Sequence, residues 1–220
     1  MKIAVLGTGM VGNALATKLV QIGHQVRMGS RSANSEAGQN WLRSVAGKGQ
    51  IGTFADAAAF GEVIFDCTNG ANSIAALRAA GAGNLRRKVL LQVANPLDFS
   101  NGMPPTLTVC NTDSLGEQVQ REFPEALVVK VLNTVNCEVM VQPSVVPGDH
   151  DLFLCGNDGP AKTKVTRWLC DWFGWKSDNI IDLGDITASR GMEMWMPLWL
   201  RLYSKIGHPH FNLRLMIGSK

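Results

Sequence analysis

Short apolar runs alternate with segments of helical periodicity over the first two thirds of the chain. The apolar runs predict six strands, at Lys2–Leu6, His24–Met28, Ile51–Phe54, Glu62–Cys67, Lys88–Val93 and Ala126–Leu132. The segments between them predict helices, because their apolar residues recur at helical spacing. Strands and helices that alternate at this rhythm predict an α/β fold with a doubly wound parallel sheet.

The pattern changes after about Val141, where Pro143, Pro147 and Gly148 indicate a connection. We therefore predict two parts, residues 1–141 and a smaller α+β part at 142–220. The second part has predicted strands at Asp151–Cys155 and Asn179–Leu183, and a last helix over Thr187–Ile206 that Pro197 should kink. One face of that helix carries methionine and aromatic residues, which favours a core or dimer surface; contact with a flat redox cofactor is the alternative. These residues are Met192, Trp195, Met196, Trp199, Tyr203 and Ile206.

A glycine-rich turn directly follows the first strand and opens a helix. It reads Gly7-Thr8-Gly9-Met10-Val11-Gly12. In this context the G-x-G-x-x-G spacing is typical of a Rossmann dinucleotide site. The first glycine permits the turn, the second lets a pyrophosphate approach the backbone, and the third allows close packing of helix on strand. The helix N-terminus then offers free N–H groups to the phosphates.

The end of the second strand reads Ser30-Arg31-Ser32 and contains no acid. Enzymes that select NAD place Asp or Glu here to bind the ribose hydroxyls. Arg31 would instead pair with a 2′-phosphate, and both serines could donate hydrogen bonds to it. The sequence therefore predicts NADP(H), although Arg31 could also be a solvated loop residue.

Amide and hydroxyl side chains follow three of the other predicted strands. They are Thr68 and Asn69, Asn95 beside Pro96, and Asn133 with Thr134. Carboxyl ends of parallel strands form the ligand-binding edge of such a sheet. Asn is also common in turns for reasons of backbone geometry, so each could have no function. We find no acid–base pair here, no lysine partner for Tyr203, and no catalytic side chain to assign. Hydride transfer between two redox cofactors needs little such help.

Composition excludes several other classes of function. The 220 residues are 45% hydrophobic with a net charge of +3 and scattered basic residues, which gives no indication of a nucleic-acid partner. No apolar run approaches a membrane span or a signal peptide. Five cysteines without a C-x-x-C pair predict reduced thiols and a cytoplasmic location, and the four histidines show no metal-site spacing.

The chain resembles the NADPH:coenzyme F420 oxidoreductases, which transfer hydride between NADPH and a deazaflavin. The glycine turn and Gly29-Ser30-Arg31 resemble that family. The segments Lys130–Val135, Phe153–Asp158 and Ile181–Gly184 look most similar to the NADPH-binding domain of six-transmembrane metalloreductases and its bacterial relatives. The resemblance implies that Thr8, Gly9, Met10 and Val11 bind the pyrophosphate and that Ser30 and Arg31 bind the 2′-phosphate. It also implies that Asn69, Asn95, Pro96, Asn133 and Thr134 line the nicotinamide.

The archaeal deazaflavin enzymes have a histidine where this chain has Asn133, so the acceptor stays open between a flavin, a deazaflavin and another small molecule. Two other functions compete with this one. One is an NADPH-dependent reductase of a small carbonyl or imine, although the chain lacks the long helical C-terminal region or inward lysine of those enzymes. The other is an NADPH-sensing module without turnover. The apolar last helix also predicts a homodimer.

Overall fold

The computed structural model describes residues 1–218, and its centre is an eight-stranded sheet. Most strands of this sheet form from apolar runs of the sequence, whereas Gln25–Ser30 and Gln50–Thr53 contain more polar residues and glycines than apolar residues. The eight strands are β1 (Lys2–Leu6), β2 (Gln25–Ser30), β3 (Gln50–Thr53), β4 (Val63–Asp66), β5 (Val89–Gln92), β8 (Leu127–Val131), β9 (Leu152–Cys155) and β10 (Ile180–Asp182). Two short strands, β6 (Leu97–Asp98) and β7 (Thr106–Leu107), form a separate hairpin.

The strand order is β10-β9-β8-β5-β4-β1-β2-β3. The six strands from β8 to β3 are parallel, so their carboxyl ends share one edge. Strand β9 pairs antiparallel with β8, and β10 pairs parallel with β9. This mostly parallel sheet confirms the doubly wound α/β prediction. Because β9 and β10 continue the same sheet, residues 142–218 share it with the first part, and the division at residue 141 stays a prediction.

Helices cover both faces of the sheet. They are α1 (Met10–Gln21), α2 (Glu36–Ser44), α3 (Phe54–Phe60), α4 (Ser73–Ala80), α5 (Ala82–Leu85), α6 (Leu115–Glu122), α7 (Cys137–Val141), α8 (Gly159–Trp168), α9 (Ser189–Met194) and α10 (Met196–Ile206). Successive residues of β1 alternate between two apolar clusters. Ile3 and Val5 pack on the side of α1, whereas Ala4 and Leu6 pack on the side of α3. Burial of both faces explains why β1, β4 and β5 are mostly apolar.

The predicted kink in the last helix is present as a break at Trp195 between α9 and α10. Pro197 lies in the first turn of α10, where its missing N–H leaves no helical hydrogen bond unmade. After α10 the chain runs back to the start of β9, where the Arg214 guanidinium lies 2.7 Å from the Asp151 carboxylate. Among residues 1–218, no helix is long and apolar enough to cross a membrane.

Candidate functional site

The glycine turn between β1 and α1 uses its three glycines in different ways. Gly7 has a φ of +113°, and a Cβ there would lie 2.6 Å from the Cys67 carbonyl oxygen. A Cβ on Gly12 would lie 2.1 Å from the Gly7 carbonyl oxygen. A Cβ on Gly9 would meet no protein atom within 4 Å. Gly7 and Gly12 therefore shape the turn, while Gly9 faces open space at the N-terminus of α1.

That open space belongs to a cavity of about 650 Å³. Gly7, Thr8, Gly9, Ser30, Arg31 and Ser32 line it, together with Thr68 and Asn69. The structure therefore brings together the glycine turn and the end of β2, as expected for one dinucleotide site. Sequence reasoning missed the rest of the lining, which has no motif. Those residues are Ser35, Ala37, Phe54, Cys67, Asn72, Ala75, Ala76 and Ala79.

The end of β2 is held by serine hydroxyls. Ser30 Oγ lies 2.6 Å from the Ser32 carbonyl oxygen and 3.0 Å from Ser35 Oγ. Ser35 caps α2 by accepting a hydrogen bond from the Gly38 N–H. Arg31 is exposed and has no acidic partner among residues 1–218. Its guanidinium is therefore available to an anion in the cavity.

A smaller cavity of about 300 Å³ adjoins the first. Cys67, Thr68 and Asn69 line both cavities and mark the place where they meet, which we call the junction. Asn95 and Asn133 line the smaller cavity, as do Met10 and Val11 from the first turn of α1. Gly12, Pro96 and Thr134 are buried and line neither cavity. Of the described residues, none that lines the smaller cavity is charged.

Asn95 and Asn133 form a reciprocal amide pair at this edge of the sheet. Asn95 Nδ2 donates to the Asn133 carbonyl oxygen at 2.8 Å, and Asn133 Nδ2 donates to Asn95 Oδ1 at 2.9 Å. Asn133 Nδ2 also donates to the carbonyl oxygen of Met192 in α9. Met196 and Trp199 of α10 add an apolar wall. The helix with the methionine and tryptophan stripe therefore contributes directly to the cavity.

A row of buried polar side chains lies behind the junction, and sequence reasoning missed it. Asp66, Gln92 and Lys130 are register partners across β4, β5 and β8, and all three are 0% exposed. Lys130 Nζ lies 2.7 Å from a carboxylate oxygen of Glu193 in α9 and also donates to Gln92 Oε1. We call Asp66, Gln92, Lys130 and Glu193 the polar row. The chain thus does contain an inward lysine with an acidic partner, although neither residue lines the cavities.

The sequence does carry a signal for this row. Each of the runs Val-Ile-Phe-Asp, Val-Leu-Leu-Gln and Leu-Val-Val-Lys-Val contains one polar residue among buried apolar ones. Buried polar groups normally have hydrogen-bond partners, so three such interruptions on neighbouring strands indicate a shared network. Glu193, 63 positions after Lys130, has no comparable signal.

Thiols at the two cavities are in their neutral form at physiological pH. Burial, and secondarily the charge of Asp66, raises the pKa of the Cys67 thiol well above its usual range. Burial also raises the pKa of Cys137, which lines the smaller cavity. Among residues 1–218, no cluster of His, Cys, Asp or Glu is arranged to hold a metal ion.

Two comparisons decide the family of this chain. Residues 2–96 match the family model described as NADP oxidoreductase, coenzyme F420-dependent. A protein from Arthrobacter sp. FB24, provisionally assigned as an F420-dependent NADP reductase, is 49% identical over 99% of this chain and 100% of its own, with a TM-score of 0.92. The chain belongs to the coenzyme F420-dependent NADP oxidoreductase family. Its place in this family confirms the resemblance and makes it an NADP-dependent oxidoreductase.

More distant relatives extend the comparison. Metalloreductase STEAP3 of Rattus norvegicus is 27% identical over 194 residues, which are 87% of this chain but 36% of that protein. The chain thus spans about a third of the length of this curated relative. A reductive aminase from Aspergillus terreus, solved with NADPH and ethyl levulinate, has a TM-score of 0.65 at 17% identity over 94% of this chain and 62% of its own. That likeness shows a shared fold.

The different surroundings of Gly12 and Gly9 predict different effects of alanine substitution on stability. Gly12→Ala should lower the free energy of unfolding by about 1–3 kcal/mol or more, because its Cβ would meet backbone that must move. Gly9→Ala, the matched control, should change it by less than about 0.5 kcal/mol, because its Cβ meets open space. Urea denaturation followed by circular dichroism measures both, and equal losses would contradict the assignment of roles.

Proposed function

We propose that this protein binds NADP(H) in the larger cavity and transfers a hydride between it and a flat flavin- or deazaflavin-type acceptor in the smaller cavity. The observation that carries this proposal is the junction of the two cavities at Cys67, Thr68 and Asn69, with no charged side chain lining the smaller one. An uncharged, mostly apolar cavity suits a neutral ring, and it offers no strong acid for protonating a small carbonyl.

The larger cavity fits the nucleotide half of NADP(H). The space above Gly9 and the N-terminus of α1 would hold the pyrophosphate. Arg31 and the Ser32 hydroxyl would hold the 2′-phosphate through charge-assisted hydrogen bonds, while the Ser30 hydroxyl donates to the Ser32 carbonyl oxygen and holds the loop. The apolar patch formed by Phe54 and the alanines of α4 would pack against adenine. These roles extend to Ser35, whose hydroxyl lies beside Ser30.

At the junction, the residues of this chain would orient the nicotinamide and exclude water. NADPH, when bound, supplies the hydride from C4 of its nicotinamide. Thr68, Asn69 and the Asn95–Asn133 pair offer neutral donors and acceptors that position a ring by direct contact. Met140, Met196 and Trp199 form the apolar wall that keeps water from the reacting atoms.

An NADPH-dependent reductase of a small carbonyl or imine is the second candidate. The shared fold with imine reductases and reductive aminases favours it. The residues of the smaller cavity favour this candidate less. The titratable side chains that line the cavity are the thiols of Cys67 and Cys137, and their raised pKa values make them poor proton donors to a carbonyl or imine. The flavin- or deazaflavin-type acceptor is therefore the better fit.

We also propose a homodimer and a cytoplasmic location. Large apolar side chains are exposed on α10 and on the segment that follows it, and an apolar surface of this kind usually contacts a partner. They are Leu198, Tyr203, Ile206, Leu213, Leu215, Met216 and Ile217. All five cysteines are free thiols, which suits a reducing compartment.

Arg31 tests the cofactor assignment. Arg31→Ala should weaken NADPH binding by about 1.5–3 kcal/mol and leave NADH binding nearly unchanged, because only NADPH carries the 2′-phosphate. Isothermal titration calorimetry measures both affinities. Arg43→Ala removes another exposed arginine outside the cavity and serves as the control. Equal losses for the two nucleotides would reject the role of Arg31.

A panel of acceptors tests the reaction itself. NADPH absorbance should decay in stopped-flow mixing with riboflavin, FMN or coenzyme F420, and should persist with small aldehydes, ketones and cyclic imines. Deuterium at the transferred C4 position should produce a primary isotope effect without a steep pH step from a protein base. Asn133→Ala should slow the reaction by about 10- to 100-fold through misplacement of the rings. Turnover with carbonyls or imines alone would establish the second candidate.

The proposed dimer can be tested by light scattering. At micromolar concentration the mass should be twice the chain mass of 23.8 kDa. Leu198→Glu places a charge on the exposed face of α10 and should shift the mass to that of one chain. Arg201→Glu, a charge reversal on the same helix, controls for a general effect of acidic substitution. A monomeric mass for the unaltered chain would contradict the proposal.

A further inference from the structure

We propose that Asp66 is an electrostatic positioning residue that stabilises the oxidised nicotinamide and so favours hydride donation from NADPH. This inference rests on the proposed function, since it assumes that the nicotinamide lies at the junction. It goes further, because it assigns a preferred direction of hydride transfer. It also gives a role to the polar row, whose members touch neither cavity.

The Asp66 carboxylate is buried at the end of β4 and is surrounded by hydrogen-bond donors. The side chain is 0% exposed. One carboxylate oxygen accepts from the Thr68 N–H at 3.2 Å and from Thr68 Oγ1 at 2.7 Å. The other accepts from Ser73 Oγ at the start of α4 and from Gln92 Nε2 at 3.4 Å. All of these contacts come from donors, which is the surrounding that a carboxylate, an acceptor only, requires.

The other charges of the polar row compensate each other and leave the charge of Asp66 in excess. The Lys130 ammonium is paired with Glu193 at 2.7 Å and also donates to the Ala94 carbonyl oxygen. Gln92 lies between Lys130 and Asp66, accepting from the lysine and donating to the aspartate. Two carboxylates and one ammonium sum to one negative charge, and the lining of the smaller cavity adds none.

This charge acts where the two cavities meet. The turn after Asp66 forms the junction, and Thr68, which donates twice to Asp66, lines both cavities. The nicotinamide ring carries one positive charge in NADP⁺ and none in NADPH. A fixed negative charge in a site of low dielectric constant therefore lowers the free energy of bound NADP⁺ relative to bound NADPH.

The isosteric variant Asp66→Asn tests this inference through binding rather than turnover. Calorimetry should give the Kd of NADP⁺ and of NADPH for the unaltered protein and the variant. The ratio of Kd for NADP⁺ to Kd for NADPH should rise about tenfold in Asp66→Asn, the order of effect of one unit charge across roughly 10 Å at an effective dielectric constant of about 20. If Asp66 only anchors the turn, Asp66→Asn should weaken the binding of NADP⁺ and of NADPH by the same factor. That result would overturn the proposal.

Two further variants complete the test. Glu193→Gln should raise the same ratio, because the unpaired Lys130 charge then offsets Asp66; this arm stands even if Asp66→Asn fails to fold. Asp56→Asn is the matched control, because Asp56 accepts hydrogen bonds from its own cap residue Thr53 and lies outside both cavities. It should leave the ratio unchanged. A ratio that falls or stays constant in the first two variants overturns the inference, whereas failure of the unaltered protein to bind either nucleotide would refute the proposed function instead.

Discussion

The ion pair between Lys130 and Glu193 joins the sheet to the C-terminal helices. The smaller cavity depends on this connection, because α10 supplies part of its wall. Glu193 also accepts the N–H groups of Leu115 and Gly116 at the start of α6. One carboxylate thereby connects β8, α6 and α9. Breaking a buried pair of this kind by removing one partner typically costs about 3–5 kcal/mol, because the remaining charge stays buried. The position of α9 on the sheet is therefore closely determined.

Two hydrogen bonds connect α9 and the start of α10 to the end of β8, beside the smaller cavity. Asn133 donates to the Met192 carbonyl oxygen, and Trp195 Nε1 donates to the Thr134 carbonyl oxygen at 3.1 Å. They align the break between α9 and α10 with the end of β8, which directs Met196 and Trp199 into the smaller cavity. The Asn95–Asn133 pair, tied to both the sheet and α9, then has little freedom to rotate. Its rigidity suits the role in orienting the rings that we propose for it.

The sequence predicts the nucleotide half of this molecule well because that half is determined locally. The turn at Gly7–Gly12 depends on residues within a few positions of each other, and most of the parallel strands are short, mainly apolar runs. The reversal of β9 and β10 could not be predicted, since apolar alternation carries no information on strand direction. Lys130 and Glu193 escaped detection for a related reason: their pairing is a tertiary contact between elements 63 residues apart in sequence.

The reversal of β9 and β10 allows the surroundings of the smaller cavity to change in evolution independently of the glycine turn. Because these strands are antiparallel to β8, their starting ends lie at the same edge as the carboxyl ends of the other strands. The segments that lead into them, 142–151 and 174–179, therefore pass near α7, and Trp175 Nε1 donates to the carbonyl oxygen of Met140 in the smaller cavity. Insertions or substitutions in these segments would reach the smaller cavity through α7, while the glycine turn stays unaltered. Under the function that we propose, this is how one nucleotide-binding scaffold would come to serve a different electron acceptor.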